Sequence, residues 1–230
     1  MATLLVINTS SDTCSVIVSK SDQFQELNSV QPKTHASLLL SMIDELLTKS
    51  DVKLDDLDAL GVVSGPGSFT GLRIGISVTQ GLSFALNKPV ILLSSLELLA
   101  SEAALKVSTE GILVAIRSKH NEIYFACYRK AHNGNTKLIG REKVIAPGDV
   151  HIPSGVGINK WYGIGDGWPN VIKIKNPIGL GTIEIDESLT ISANVLNKLA
   201  HAKFASHQTV EAENALPNYL KEQLDYQTSQ

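Results

Sequence analysis

The segment from Ser64 to Gly75 has the residue types and the spacing of an anion-binding turn. It reads Ser-Gly-Pro-Gly-Ser-Phe-Thr-Gly-Leu-Arg-Ile-Gly, after an apolar run and before a helical pattern. A glycine-rich turn between a strand and a helix can direct backbone N–H groups toward a phosphate or carboxylate. A purely structural turn would look the same, so both interpretations stay open. The candidate anion or nucleotide loop comprises Ser64, Gly65, Gly67, Ser68 and Thr70.

The common phosphate-binding fingerprints do not fit this turn. A Walker A loop needs Lys and then Ser or Thr after its last glycine, whereas Leu72 follows Gly71. A dinucleotide fingerprint needs a third glycine where Thr70 stands. The turn therefore does not by itself predict a particular nucleotide.

Side chains that could catalyse a reaction are scattered along the sequence. Four residues after His35 stands Leu39 rather than a second histidine, and a catalytic metal site needs about three protein ligands. A nucleophile elbow is absent, because Val62 precedes Ser64 where a glycine is required. The carboxylates near turns are far apart in sequence and define no acid–base pair. We predict no catalytic residue and no metal site.

The composition is that of an ordinary, mildly acidic globular chain. Its 230 residues are 43% hydrophobic and 19% charged, with a formal net charge of −3. A protein that binds nucleic acid by itself usually carries a basic excess. Two distant cysteines, Cys14 and Cys127, indicate reduced thiols, and no apolar run reaches the roughly 20 residues of a membrane span. We expect a cytoplasmic protein with no membrane partner that does not bind tRNA autonomously.

Hydrophobic periodicity predicts two related α/β lobes. A meander of β-strands is indicated near residues 3–30 and again near 112–144, and apolar stripes at helical spacing predict helices between and after them. Residues 147–190, rich in Gly and Pro, have no readable pattern. We assign residues 1–106 to a first lobe and residues 107–230 to a smaller second lobe, with a C-terminal segment that could return to the first.

The run from Gly65 to Gly75 resembles the signature of the TsaB (formerly YeaZ) family. These are bacterial accessory proteins for making N6-threonylcarbamoyladenosine in tRNA, of the actin-like ATPase superfamily. The resemblance implies two tandem actin-like, RNase H-like lobes, each with a mixed five-stranded sheet and helices. Shorter segments resemble the family at residues 5–10, 35–40, 94–96, 122–124, 165–168 and 216–220.

The resemblance implies a non-catalytic scaffold. Such a subunit binds the transferase TsaD, and with it the ATPase TsaE, for threonylcarbamoylation of the adenosine next to the anticodon in ANN-decoding tRNAs. It also implies a homodimer when TsaD is absent, and tRNA binding only through the complex. We expect no cofactor on the isolated chain, while ATP or ADP in the complex stays open.

Two positions depart from the family pattern. Asn8 and Arg117 stand where the family often has Asp. An amide lacks the negative charge that a hard cation prefers, so Asn8 weakens the case for ATP hydrolysis by the first lobe. The role of Arg117 stays open.

The resemblance and the residue pattern together indicate a partner interface on the helices at 33–49 and 71–86. Gly71, Gly75 and Thr79 recur every four residues, a spacing that gives a helix one bare face for close packing. Leu38 and Leu40 lie off the apolar stripe of the first helix and exceed what a helix with one solvent-facing side needs, so this surface could meet another helix or could equally be buried within this chain. The candidate interface comprises His35, Leu38, Leu39, Met42, Leu46, Gly71, Arg73, Gly75 and Thr79.

Two other classes of function remain as alternatives. The first is an ATP-dependent small-molecule kinase of the actin-like superfamily, in which the glycine-rich turn would hold phosphate with help from Asp166. The second is a metalloprotease, for which the residues offer no ligand set. Calorimetry with ATP and Mg²⁺ discriminates the first from a scaffold, and metal analysis tests the second.

Overall fold

A computed structural model gives the fold and describes residues 2–20, 23–29, 35–119, 121–131, 135–174 and 183–220. The chain forms two compact units, and each is an α/β lobe. Unit 1 comprises residues 1–95 and 192–218, and unit 2 comprises residues 96–191 and 219–230. Two tandem actin-like lobes, as predicted, are confirmed by their two five-stranded sheets. In the described part of the chain, no helix is both long and apolar enough to cross a membrane.

The sheet of unit 1 has the strand order β3-β2-β1-β4-β5. The first three strands form an antiparallel meander, and β4 and β5 add in parallel beside β1. The bounds of the strands are β1 Thr3–Asn8, β2 Cys14–Lys20, β3 Gln23–Ser29, β4 Ala59–Gly65 and β5 Val90–Ser94.

Three helices cover this sheet. Helix α1 (His35–Lys49) and helix α2 (Phe69–Leu86) pack on one face, where Leu5 and Ile7 of β1 are fully buried. Helix α5 (Ala193–Ala205) contacts β1, β2 and β5. It covers the opposite face of the sheet, because its His201 hydrogen-bonds to the hydroxyl of Ser19. Ser19 follows Val18, whose side chain packs in the core with α1, and neighbouring side chains on a strand point to opposite faces.

The segment after α5 also belongs to unit 1. Val210 forms an antiparallel bridge with Val90 of β5, and the backbone N–H of Asn218 donates to the carbonyl of Ser64 at 2.9 Å. Residues 192–218 therefore complete the first lobe, although they follow the second in sequence.

Unit 2 repeats the strand topology of unit 1. Its sheet has the order β10-β9-β6-β7-β8, again an antiparallel meander with two parallel strands added beside its first strand. The related lobes inferred from the two meander patterns thus share one topology. The strands are β6 Gly111–Arg117, β7 Ile123–Lys130, β8 Thr136–Ile145, β9 Trp161–Ile164 and β10 Glu184–Asp186.

Helix α3 (Ser95–Lys106) packs in unit 2, whereas the sequence analysis placed it in the first lobe. Its apolar stripe of Leu96, Leu99, Ala100 and Ala103 lies in the same core as Ile112 of β6. The lobes therefore divide after Ser95 rather than after residue 106. Helix α4 (Trp168–Ile174) packs in the second core of this unit, through Trp168 and Val171.

Candidate functional site

The glycine-rich turn lies at the carboxyl end of β4, as its sequence predicts. Ser68 is the N-cap of α2, and its hydroxyl accepts a hydrogen bond from the N–H of Gly71 at 3.3 Å. The N–H of Ser68 donates to the carbonyl of Ser10 at 2.7 Å. Both N–H groups therefore already have acceptors within the chain.

The turn is packed directly against the loop between β1 and β2. A side chain at Gly67 would overlap the carbonyl oxygen of Ser10, and one at Gly71 would overlap that of Thr9. The hydroxyl of Thr9 donates to the carbonyl of Gly71 at 2.7 Å. The glycines of the motif are thus needed for close approach between two backbone segments.

Polar side chains gather where the parallel strands of unit 1 end. Asn8 accepts through Oδ1 from the N–H of Ser10 at 3.1 Å and from its hydroxyl at 2.7 Å. The hydroxyl of Ser64, which is buried, donates to the carbonyl of Leu93 at 3.2 Å. The amide oxygen of Asn8 therefore stabilises the conformation of the loop between β1 and β2. A carboxylate at this position could accept the same two hydrogen bonds.

The five residues of the candidate anion loop are brought together at one turn, but in different environments. Ser64 and Gly65 are buried, whereas Gly67, Ser68 and Thr70 are exposed. Gly65 has a φ of 117°, in the region that favours glycine. Binding of an anion at this turn stays a prediction. The backbone N–H groups of Ser68 and Gly71 already donate to acceptors within the chain, so fewer N–H groups are available to bind an anion.

Most of the predicted interface residues lie inside unit 1. Leu39, Met42 and Leu46 are buried in the core between α1 and the sheet. Leu38 is half-buried against the same core. Burial of Leu39, Met42 and Leu46 within the chain is the alternative that the sequence left open, and a partner contact through the half-buried Leu38 stays a prediction. The side chain of His35 lies outside the described residues.

The glycine face of α2 also points inward. A side chain at Gly75 would overlap the hydroxyl of Thr9, and Thr79 is fully buried with its hydroxyl bonded to the carbonyl of Gly75 at 2.8 Å. The four-residue spacing of small residues predicts close packing correctly, but against strand β1 of the same unit. Of the predicted α2 positions, Arg73 is the one that is exposed.

The outward faces of α1 and α2 carry apolar residues that are not in the candidate interface, although the sequence already shows Leu40 as one of the extra leucines of the first helix. The exposed fractions are 56% for Leu40, 53% for Phe69 and 83% for Phe84. The guanidinium of Arg73 stacks 3.8 Å from the ring centroid of Phe69. Phe69, Arg73 and Phe84 lie within about 60° around the helix at 100° per residue, a stripe of about 22 Å. We call Leu40, Phe69, Arg73 and Phe84 the outer helical face.

At the corresponding strand ends of unit 2, an arginine meets an aspartate. The N–H of Arg117, at the end of β6, donates to Oδ1 of Asp166 at 2.7 Å. The guanidinium of Arg117 also reaches the carbonyl of Asp166 at 3.5 Å. Asp166 therefore holds the loop after β9 against the end of β6. Among the described residues, no group of three or more His, Cys, Asp or Glu is arranged to hold a metal ion.

Both cysteines are free and buried, Cys14 in β2 and Cys127 in β7. Burial raises the pKa of the Cys14 thiol from 9.0 to about 11 and that of Cys127 to about 12, with Lys143 acting in the opposite direction on the latter. Both thiols are therefore neutral and unreactive at physiological pH.

We expect the free energy of unfolding to fall as the pH rises above 9, because the unfolded thiols ionise near their ordinary pKa while the native ones stay neutral until about pH 11 to 12. Urea denaturation at pH 8 and pH 10 measures this loss. Because tyrosines and lysines titrate in the same range, the control is the variant Cys14→Ala/Cys127→Ala, which should lose less stability between the two pH values. An equal loss in both proteins would contradict the prediction.

The two five-stranded sheets and their helices define a two-lobed protein of the actin-like fold. The sequence model of the family "TsaD: tRNA N6-adenosine threonylcarbamoyltransferase" matches residues 16–224. The chain is 33% identical to the Escherichia coli tRNA threonylcarbamoyladenosine biosynthesis protein TsaB, over 95% of this chain and 94% of that one. The chain belongs to the TsaB (YeaZ) family.

Two further relatives agree with this assignment. The TsaB protein of Buchnera aphidicola subsp. Schizaphis graminum is 34% identical, over 73% of this chain and 80% of its own. The solved structure of YeaZ from Pseudomonas aeruginosa is 37% identical and superimposes with a TM-score of 0.82, over 96% of this chain and 100% of that one. The resemblance read from the glycine-rich turn is confirmed.

Proposed function

We propose that this chain acts in the biosynthesis of N6-threonylcarbamoyladenosine in tRNA as a non-catalytic partner subunit of the transferase TsaD. Family membership supports the pathway, since the Escherichia coli relative is named as a biosynthesis protein for this nucleoside. The match to the TsaD family model supports a chain with the fold of the transferase, suited to pairing with it.

The observation that carries the proposal is the outer helical face. Phe84 is 83% exposed and Phe69 is 53% exposed on one side of α2, and Leu40 is 56% exposed on α1. Large apolar side chains gathered on one surface are typical of a protein–protein interface. The stacked pair of Arg73 and Phe69 adds the residue types that most often dominate binding energy at such interfaces. We assign this face to TsaD in place of the buried residues that the sequence suggested.

The remaining steps follow from this placement. The chain stabilises the active arrangement of TsaD, and the pair contacts TsaE and tRNA. When TsaD is absent, a second copy of the chain covers the same apolar face, because a two-fold contact buries it on both copies. The homodimer and the complex with TsaD therefore compete.

The experiment is a titration of TsaD with variants of the outer helical face. We expect Phe84→Asp to weaken binding at least about 30-fold, the effect of losing one interface anchor of 2 kcal/mol. Threonylcarbamoyl transfer to tRNA by TsaD should fall with it at subsaturating concentrations. Leu189→Asp, at a position 41% exposed in unit 2, is the matched control and should bind normally.

A circular-dichroism melt verifies that both variants fold. Normal binding by the double variant Phe69→Asp/Phe84→Asp would exclude this surface. A wild-type chain that neither binds TsaD nor stimulates the transfer would exclude the function.

A further inference from the structure

The hairpin of β7 and β8 is strongly basic in an acidic chain. Between Ile123 and Ile145 stand five basic residues and one acidic residue, Glu142, whereas the whole chain has a net charge of −3. Such an asymmetry concentrates positive potential on one part of unit 2. The basic residues are Arg129, Lys130, Lys137, Arg141 and Lys143.

The strand register places three of these cations on one face of the hairpin. Arg129 lies directly opposite Lys137, and Lys143 lies directly opposite Phe125. Phe125 and Arg129 are an even number of residues apart on β7, so both pairs share the face on which Phe125 and Cys127 are buried in the second core of unit 2. The ammonium of Lys143 is 5.8 Å from the ring centroid of Phe125. Like charges opposite each other across two strands are destabilising.

The single local carboxylate leaves five cations against one anion, a surplus of four positive charges. Glu142 accepts a hydrogen bond from the hydroxyl of Tyr128 at 2.8 Å, and Tyr128 points to the opposite face, into the core with α3. Lys130 is on that opposite face too, where its Nζ donates to the carbonyl of Val107 at 2.5 Å. Within the described part of the chain, no carboxylate forms an ion pair with Lys137, Arg141 or Lys143.

The basic side chains stand at the accessible margin of this core-packed face, and Arg129 is held in place. Arg129, Lys137 and Arg141 are exposed, and Lys143 is half-buried. The guanidinium of Arg129 donates to the carbonyl of Val156, which orients it. Arg141 lies at the register shift of β8, next to Gly140 with its φ of 77°. We call Arg129, Lys137, Arg141 and Lys143 the basic hairpin face.

We propose that the basic hairpin face binds the phosphodiester backbone of the tRNA in the assembled transferase complex. Lys and Arg side chains contact phosphates without reading sequence, and each contact releases counterions. Four cations are too few for tight binding by the chain alone, which agrees with the acidic composition. Together with a tRNA-binding partner they add affinity and orient the substrate. The inference rests on the proposed function, since that supplies the RNA.

Lysines on an edge strand also prevent strands of separate molecules from pairing, and β8 is the edge strand of this sheet. That role needs charge but no anion, and it predicts no effect on RNA binding. The two explanations therefore differ in one measurable quantity, the dependence of tRNA affinity on salt.

The experiment measures tRNA binding to the complex of TsaD with this chain, by fluorescence anisotropy between 50 and 250 mM KCl. The test variant is Lys137→Gln/Arg141→Gln/Lys143→Gln. The matched control, Lys20→Gln/Lys53→Gln/Lys88→Gln, removes the same charge from unit 1. We expect the slope of log affinity against log salt to become shallower by about 2 to 3 for the test variant only. Lys137→Arg/Lys143→Arg keeps the charge and should bind as the wild type does.

The outcomes separate this inference from the proposed function. If the test variant pairs with TsaD and retains the wild-type salt slope, the basic hairpin face protects the sheet edge and the inference is wrong. Equal changes in the test and control variants would likewise overturn it, because they would reflect net charge alone. If the wild-type chain does not pair with TsaD, the proposed function fails and this inference fails with it. Gel filtration of each mixture with TsaD reports the pairing independently.

Discussion

Replacing Gly71 by alanine is expected to lower the free energy of unfolding of unit 1 by about 3 kcal/mol. The new methyl group would overlap the carbonyl oxygen of Thr9, and a backbone oxygen cannot move aside as the end of a flexible side chain can. The loss should occur although alanine favours helices more than glycine does. Urea denaturation followed by circular dichroism measures it.

The matched control lies on the same helix. Gly81 has nothing within 4 Å of the position of an added methyl group. Gly81→Ala should therefore raise the free energy of unfolding by up to about 1 kcal/mol through helix propensity alone. The same change then has effects of opposite sign on stability at two positions almost three turns apart on one helix. A Gly71→Ala protein as stable as the Gly81→Ala protein would contradict the packing described for α2.

This result also governs how the partner interface should be tested. On the sequence alone, a charged side chain at Gly75 would be chosen to disrupt partner binding. In the structure, however, that position faces the hydroxyl of Thr9 within unit 1. Gly75→Glu should unfold the lobe, so lost binding would report on folding rather than on a contact. The exposed Phe84 allows a cleaner test.

Replacing Trp168 by alanine should lower the free energy of unfolding of unit 2 by about 3 to 5 kcal/mol. The indole is 1% exposed in the core beside Leu113 and Val171, and its N–H donates to the carbonyl of Ile164 at 3.1 Å. Removing it leaves a cavity and takes away one hydrogen bond that the Ile164 carbonyl accepts. Hydrogen exchange should show faster exchange in β6 and β9, while β1 and β4 of unit 1 keep their protection.

The control for this change separates packing from hydrogen bonding. Trp168→Phe keeps most of the apolar volume and loses the N–H, so it should cost about 1 to 3 kcal/mol for the lost hydrogen bond and the smaller ring. A Trp168→Ala protein that lost less stability than Trp168→Phe would show that the core does not depend on this side chain.

The strands of the two meanders could be predicted because each has a clear hydrophobic pattern. The runs at β1, β2, β6 and β7 are apolar or alternating, and their pairing follows from short connections. The elements at β9, α4 and β10 were missed because they have four, seven and three residues. Gly163 also makes β9 look like a loop, although it is there because the ring of Trp168 packs closely over it.

The candidate site was predictable in its spacing but not in its direction. Small residues at Gly71 and Gly75 indicate a close neighbour, yet the sequence cannot say whether that neighbour is a partner or strand β1. The answer depends on a contact between residues more than 60 positions apart, the bond from Thr9 to Gly71. Likewise, Phe84 looks like a core residue until the orientation of α2 shows it to be outside.

The contacts between α2 and β1 have a further consequence for kinetics. At Gly71 the helix backbone lies against the backbone of Thr9, and the hydroxyl of Thr9 donates to the carbonyl of Gly71. The start of α2 therefore has little freedom to move relative to the end of β1. The aromatic rings on its other side are therefore presented in one fixed orientation before any encounter. A rigid surface of this kind loses little conformational entropy on association. We therefore expect little conformational change in this surface on binding. Differences in affinity among partners should appear in the dissociation rate constants rather than in the association rate constants.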